Sequence, residues 1–488
     1  MTGHRGFFVV LLLVTALLMT QCVAPSPAAP VAPAPAEPAP AAEAPAAAPA
    51  APAPAEAPQP AAPSADLFLD VGKQPPITIL INQSPWYPGF EKTVELYEQQ
   101  TGNTVNLDVT PFAGMLEKSR NAVQGKESPY DLLNLNAPNT VEFYEGGFLT
   151  PLKEIDPTFE LDPQVITADD TNYWSAEANW RKTPGVLMGI PLNSNIQLCY
   201  YRADLFEQAG LEPPETWDDV VAAADKLGDG ENLYGWVVRG ERGNAIVFDF
   251  YSYLYGAGGS IEKDPANGDY TVTVNSPEAK KALDFYVMLA NKYGPPNSGV
   301  VGQADLIQLM TTGKALQLNM VSAAWASMDN PDNSQVIGKV NTTVVPRPTD
   351  GQFYTPIGNW VAGIPKNIPM ERKQAVLAFA KWFLTYEAQY KYAEFGSIPV
   401  RNDVFESDLA AKPEFRWMEA YKEGIKYGGQ MLGYKEGPQV ETILGLRLNQ
   451  ALIGELSSAQ ALNLAAEEIY KVFSESGRKT GLLEKLPE

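Results

Sequence analysis

An α/β fold in two lobes is what this sequence predicts, and three observations carry the prediction. The chain has 488 residues, more than one hydrophobic core accommodates. From Ile77 onward, strand-length apolar runs alternate with segments of helical period, the pattern of β-α-β units around central sheets. The stretch Gly185 to Gly210 places the polar run Asn193-Ser194-Asn195 between two apolar strands. A chain crossing from one lobe to another needs such a segment, and the crossing leaves amides beside the cleft.

The counts exclude several function classes. A net charge of -22 with no basic stripe argues against nucleic acid as a partner. The one histidine is His4, within a segment expected to be removed, so Ser-His-Asp and Cys-His catalysis and His-ligated zinc fall away. Cys22 and Cys199 permit at most one disulfide and no thiolate metal cluster. Neither a metal nor a cofactor is expected. Gly313-Lys314 runs into Ala315 without the upstream glycine of a phosphate-binding loop, which excludes a P-loop ATPase.

In chain order, His4 and Arg5 precede the apolar run Phe7 to Met19, which fits a signal peptide over residues 1–21. That run is short for a spanning helix of about 20 residues, although an uncleaved anchor is the alternative. Met-Thr-Gln-Cys22 follows and resembles a lipobox, with Gln21 where the pattern prefers a small residue. Lipidation is expected at Cys22. Of the 43 residues from Val23 to Ala65, 35 are Pro or Ala, so residues 22–65 are expected to be a disordered, extended tether of roughly 3.1 Å per residue.

Ile77 to Ile81 then reads as a strand, and Phe90, Val94 and Tyr97 mark a helix stopped by Gly102. Val105 to Val109 and Asp131 to Asn136 are the next strands. Ligands of open α/β sheets bind beyond the carboxyl ends of strands, which singles out Gln83, Ser84, Trp86 and Tyr87 after the first strand and Asn136 and Asn139 after the third. The crossover adds Asn193, Asn195 and Gln197. Thr216 and Asp219 form a capping box, and Ser276-Pro277 opens a helix that runs to Tyr293. A helix is expected over 304–311, strands over 315–320 and 340–345, and one long helix over 371–395.

Several longer motifs carry a resemblance: GVLMGIPLNSNIQLCYYRADLFEQAG, AGLEPPETWDDV, GGFLTPL, YGWVVRGERGNAIVFDFYSYLYGAGG, IGNWVAGIPK and GSIPVR. Over residues 75–475 the chain resembles the family 1 extracellular solute-binding proteins of ABC sugar transporters. The resemblance implies the type II periplasmic-binding-protein fold, with hinged lobes whose central sheets are flanked by helices. Residues 66–193 and 357–405 would form lobe 1, and 194–356 with the C-terminal helices of 406–488 would form lobe 2. It further implies a monomer tethered outside the cytoplasm through Cys22, a carbohydrate ligand and ABC permease subunits as partners. Arg239 and Arg242 then lie on a cleft loop, Trp325 beyond it, and Asn359 and Trp360 on the return crossover, where many relatives have a second glycine in place of Asn359.

Amide and carboxylate groups together with flat aromatic rings suit the hydroxyls and C–H faces of a sugar. Other readings of the same residues stay open. Asn193 and Asn195 also suit a turn. Arg239 and Arg242 also suit a solvated surface, or, facing a cleft, an acidic or phosphorylated ligand. Glu436, Glu441, Asp249 and Asp131 would have to pair for a carbohydrate-active enzyme, and a surface lipoprotein for sensing or adhesion would keep the fold without a permease. The expectation is a binding protein without catalytic residues.

Overall fold

The computed structural model describes residues 68–168, 170–429 and 432–488. The expected signal peptide, Cys22 and the Pro/Ala tether lie outside the described residues. Eight strands build the two main sheets: β1 (Ile77–Asn82), β2 (Val105–Thr110), β3 (Leu132–Asn136), β4 (Gly189–Asn193), β5 (Gln197–Arg202), β6 (Gln317–Val321), β7 (Val340–Thr343) and β8 (Trp360–Gly363). The first sheet has the order β2-β1-β3-β8-β4. In it β1 runs parallel to β2 and β3, while β8 is antiparallel to both β3 and β4. The second sheet, β6-β5-β7, is antiparallel. The chain therefore leaves the first sheet after β4 and returns to it through β8.

Side chains of a strand alternate between faces, and both faces of the first sheet are covered. Ile77, Ile79 and Ile81 of β1 pack with Phe90, Val94 and Tyr97 of the helix Tyr87–Thr101. Leu80 points the other way, toward Met115, Leu133 and Leu135. The helix stops where Gly102 takes the left-handed region at φ 67°, conformationally cheap for glycine. The helices Asn244–Gly256, Pro277–Tyr293, Gly437–Leu452 and Ser458–Glu475 pack on one another around a core that reaches the second sheet at Cys199. The first of these is apolar on nearly every side and is buried accordingly. Thr216 caps Trp217–Leu227 with the expected box, its hydroxyl accepting from the Asp219 amide.

The expected single helix over 371–395 is two helices, Met370–Phe383 and Tyr386–Glu394. The Thr385 hydroxyl accepts from the Ala388 amide and caps the second helix, while Gln389 Nε2 donates to the Phe383 carbonyl at 2.8 Å. Both broken ends are thus satisfied by side chains, which makes the interruption inexpensive. The strands expected over 315–320 and 340–345 are observed with ends shifted by one or two residues.

The strand pair Glu262–Asp264 and Asp269–Val272 buries a carboxyl at its start. Glu262 is held under the Tyr434 hydroxyl, which donates to it at 3.2 Å, and burial pushes its pKa up to about 8 from 4.5. The folded protein therefore holds a proton that the unfolded chain releases above pH 4.5. Its contribution to stability is fully present below that value and is lost as pH rises toward 8. In thermal melts between pH 5 and pH 9, Glu262→Gln should remove part of the fall in Tm. Parallel profiles for the variant and the parent would show that the carboxyl is already ionised in the fold.

Candidate functional site

The polar run between β4 and β5 is a junction of several segments. Asn193 Oδ1 accepts the Asn195 amide at 2.7 Å, which turns the chain between the sheets. Asn195 Oδ1 then accepts both the Ser322 hydroxyl at 2.8 Å and the Ala323 amide at 3.0 Å. The Asn195 carbonyl accepts the Gly358 amide at 2.8 Å on the return crossover. Beneath them, the Tyr421 hydroxyl lies 2.7 Å from the Ser194 carbonyl, and Ser194 Oγ donates to the Pro399 carbonyl. One buried dipeptide thus ties both crossovers and the exit of β6 together.

Around this junction the strand ends enclose a cavity of about 560 Å³, a size that takes a small organic ligand. The first sheet supplies the loop Asn82 to Trp86 after β1, Phe112 after β2, and Asn136 and Pro138 after β3. Asn195, Ile357, Gly358 and Trp360 come from the crossovers and Val321 from the end of β6. From the second sheet's side come Arg239, Glu241, Arg242 and Asn244 of one loop, with Phe248 and Gln303. Isolated bridges from Val237 to Leu318 of β6 and from Tyr234 to Ala315 just before it set that loop at a sheet edge.

Two kinds of surface meet here. Trp86 and Trp360 have ring centroids 6.4 Å apart, and Phe112 stands nearly perpendicular to Trp360 at 5.9 Å. Gly358 matters for the opposite wall, since a Cβ there would come within 3.1 Å of the Phe248 ring. Between these rings, Asn82 Oδ1, Ser84 Oγ, Trp86 Nε1, Arg239 Nε and Gln303 Nε2 are buried without a hydrogen-bond partner among the described residues. Unpaired polar atoms of this kind also occur away from the cavity, at Trp236, Tyr251 and Trp382 for example, so the polar character of the cavity rests on the side chains that line it, Gln83, Asn136, Asn195, Arg239 and Arg242 among them.

The Arg239 loop is held from behind. Asp249 Oδ2 accepts the Arg239 amide at 2.9 Å and the Tyr286 hydroxyl at 3.1 Å, and its Oδ1 accepts Gln197 Nε2 at 2.7 Å. Burial raises the Asp249 carboxyl to about 6, against the opposing pull of these donors and of the nearby Arg239 charge. Burial likewise lowers the Arg239 pKa. Asn244 Nδ2 donates to Glu441 Oε1 at 2.6 Å, and Gly445 passes so near Gly243 that a Cβ would lie 2.6 Å from its Cα. The loop is therefore fixed on three sides before anything binds.

Of the residues expected from sequence, the cavity brings together Gln83, Ser84, Trp86, Asn136, Asn195, Arg239, Arg242 and Trp360. The others lie elsewhere. Tyr87 begins a helix and donates its hydroxyl to Glu91. Asn139 lines an adjoining chamber. Asn193 is spent on its turn and Gln197 on Asp249, one layer behind the wall. Asn359 is buried between Gly358 and Trp360, on the opposite side of an extended segment from both. Trp325 is carried away by the turn after β6, donating Nε1 to the Glu414 carbonyl with the Arg416 guanidinium 4.3 Å from its ring.

Phe112, Phe248 and Gln303 were not anticipated, while Glu241 and Asn244 belong to the loop Arg239 to Asn244 expected to face the cleft without being singled out. Phe112 follows β2 and obeys the same strand-end rule as Gln83, so the signal was present; nothing local marks Gln303. The four carboxylates considered for catalysis do not form a pair in this cavity. Glu436 is bound bidentately by Arg478, Asp131 pairs through one oxygen with Arg372 and through the other with the Thr78 amide, Asp249 lies behind the loop, and Glu441 meets Asn244. Among the described residues no group of three or more acidic, Cys or His side chains is arranged to hold a metal. No helix among them is long and apolar enough to cross a membrane.

A family model described as bacterial extracellular solute-binding protein matches residues 81–390. A mannitol-binding protein of Pseudomonas aeruginosa is 27% identical over 380 residues, which is 73% of this chain and 83% of that protein. An ABC transporter solute-binding protein of Agrobacterium radiobacter, solved in complex with ribitol, has a TM-score of 0.73 at 24% identity, covering 83% of this chain and 100% of that one. Another, from Thermotoga lettingae with α-D-tagatose bound, has a TM-score of 0.69 at 25% identity, covering 82% and 100%. The two-lobe architecture is common to these structures and to this chain.

Removing the Asn195 side chain would strand the Ser322 hydroxyl and the Ala323 amide, each buried at the junction. Leaving such groups unpaired costs about 1 to 3 kcal/mol apiece. Asn195→Ala should therefore lower the unfolding free energy by about 2 to 6 kcal/mol in urea titration. A loss below about 0.5 kcal/mol, the range of surface substitutions, would mean that the junction does not depend on this amide.

Proposed function

Because the chain belongs to the bacterial extracellular solute-binding protein family, we propose that it is the capture component of an ABC importer that closes two lobes around a carbohydrate and presents it to membrane permease subunits. The observation that carries this reading is a cavity walled from the sides of both sheets, where the polar side chains of Gln83, Asn136, Asn195, Arg239 and Arg242 stand beside the rings of Trp86, Trp360 and Phe248. Hydroxyls in fixed directions match the first kind of surface and the C–H faces of a sugar or polyol match the second. The mannitol and tagatose held by relatives are of that chemistry.

In this reading, Gln83, Ser84, Trp86, Asn136 and Trp360 receive the ligand on one lobe, residues 66–193 with 357–405. Arg239 and Arg242 reach it from the other, residues 194–356 with 406–488. A ligand touching both walls is bound more tightly by the closed form than by the open one, and that difference is what shifts the equilibrium. The protein converts nothing; its product is a shape that the permease reads. It acts outside the cytoplasm as a monomer, held to the membrane by lipid on Cys22.

Calorimetry with D-mannitol, D-tagatose and maltose tests the reading directly. At least one should bind in the micromolar range or tighter and be recovered unchanged; a new product would overturn a binding-only role. Trp360→Ala should weaken that ligand by about 2 to 4 kcal/mol, or roughly 30- to 1000-fold. The variant will also lose stability, because Trp360 packs on Trp86 and Phe112. Unchanged affinity per folded molecule would remove Trp360 from the site.

The anchor has its own test. Cys22→Ser should move the protein from the membrane fraction to the soluble fraction with its affinity intact. Retention in the membrane would show that the apolar run before Cys22 is itself the anchor.

A further inference from the structure

The chain between Trp174 and Val186 leaves the half of the protein built on the first sheet and comes back to it. Tyr173–Trp174 pairs antiparallel with Val186–Leu187. Trp174 is buried beside Tyr144, with ring centroids 6.2 Å apart, in the core on the Leu80 face of that sheet. Ser175 and Trp180 exchange backbone hydrogen bonds of 3.0 and 3.3 Å, and Ser175 Oγ accepts the Ala178 amide at 3.2 Å. Past the tip, the Arg181 guanidinium donates to the Ala137 carbonyl after β3, and the Thr183 amide and hydroxyl donate to Asp170 at 2.9 and 2.8 Å. The loop is thus a turn pinned on both sides to the first half.

Its tip belongs to the other half. The Trp180 ring lies 6.0 Å from that of Tyr434, inclined at 35°, and packs on the core formed by the four long helices. It joins neither of the cores that flank the first sheet. Tyr434 is a fixed platform, fully buried and set edge-on to Tyr270 and Phe473 at 5.5 Å each, with its hydroxyl on Glu262. Next to it, Lys435 Nζ lies 3.4 Å from Glu145 Oε1, at the end of the first-half helix Thr140–Glu145. That ion pair is exposed and contributes little, so the ring contact carries the weight. Neither Trp180 nor Tyr434 lines the cavity or sits on a crossover. A tryptophan whose packing lies on the opposite half does not stabilise the fold of its own half; it stabilises the closeness of the two.

We infer that the loop of residues 175–185 is a clasp: Trp180 docks on Tyr434 when the two halves close and leaves it when they part, so this contact helps set the affinity for every ligand without touching any. The inference rests on the two-lobe closure of the reading above. The apparent dissociation constant of a ligand held by the closed form is the intrinsic one divided by the fraction of protein in that form. Whatever favours closure by itself therefore multiplies all affinities by one factor. A residue of the cavity wall acts differently, because each ligand makes its own contacts with it.

Calorimetry of the full chain with D-mannitol, D-tagatose and maltose tests the clasp on the parent, Trp180→Ala and Trp180→Phe. Trp180→Ala should weaken every ligand that binds by one common factor of about tenfold, per folded molecule, and Trp180→Phe, which keeps a ring for Tyr434, should lose less. Unchanged affinity, factors differing by more than about threefold among ligands, or an equal loss in Trp180→Phe would overturn the clasp and leave the carbohydrate reading standing. If none of the three binds, the carbohydrate reading falls and a measurement without ligand decides. Spin labels on Val109→Cys, just before Phe112, and Val300→Cys, beside the Arg239 loop, report the separation of the halves in the full chain carrying Cys22→Ser. Both positions are exposed, whereas Cys199 is buried and stays unlabelled. A longer distance in Trp180→Ala than in the parent would uphold the clasp, and an unchanged one would overturn it.

Discussion

The side-chain oxygen of Asn195 is the constraint on which the rest depends. It accepts two hydrogen bonds from the exit of β6 while its backbone carbonyl holds Gly358, so three stretches far apart in sequence meet at one amide. Every residue that lines the cavity from a crossover, Ile357, Gly358 and Trp360 included, takes its position from that meeting. A hinge built this way can flex in its φ/ψ angles on either side without losing its pivot, since the bonds run across the crossovers rather than along them.

The binding groups and the groups that hold them form separate layers. Arg239 faces the cavity, but its place is set by Asp249, Gln197 and Tyr286, none of which lines it. Asp249 is costly to bury alone and tolerable only with donors on both oxygens, which is why three partners converge on it. The same division appears at Asn193, whose amide sets the turn that presents Asn195. A pattern of this kind fixes the geometry of the first layer while leaving its chemistry free to vary.

Much of this was legible in the sequence, and the misses have physical reasons. Strand ends were readable from apolar period and polar interruptions, which pointed to Gln83, Trp86 and Asn136, whereas Arg239 and Trp360 came from the family resemblance. What the sequence does not display is the direction in which a side chain leaves its segment. Asn193, Asn195 and Gln197 share a spacing of two, but the turn at Ser194 breaks the alternation, and only Asn195 reaches the cavity. Trp325 was placed beside the cleft by the family resemblance; a short 3-10 turn directs it toward Arg416. Gln303 and Glu441 arrive from helices distant in the chain, and no local pattern announces such contacts. The break at Thr385 was within reach, because a threonine followed by Glu387 is a helix-start signal inside an otherwise helical period.

The paired indoles of Trp86 and Trp360 also make the protein its own optical instrument. Both line the cavity, and Trp86 keeps an unbonded ring N–H there. With centroids 6.4 Å apart and planes inclined at 54°, the two rings sit close enough to share an excited state. Anything that enters the cavity changes the polarity around one or both. Occupancy is therefore written into the intrinsic emission of the unlabelled chain, so arrival and departure of a solute can be followed in real time without attaching a dye.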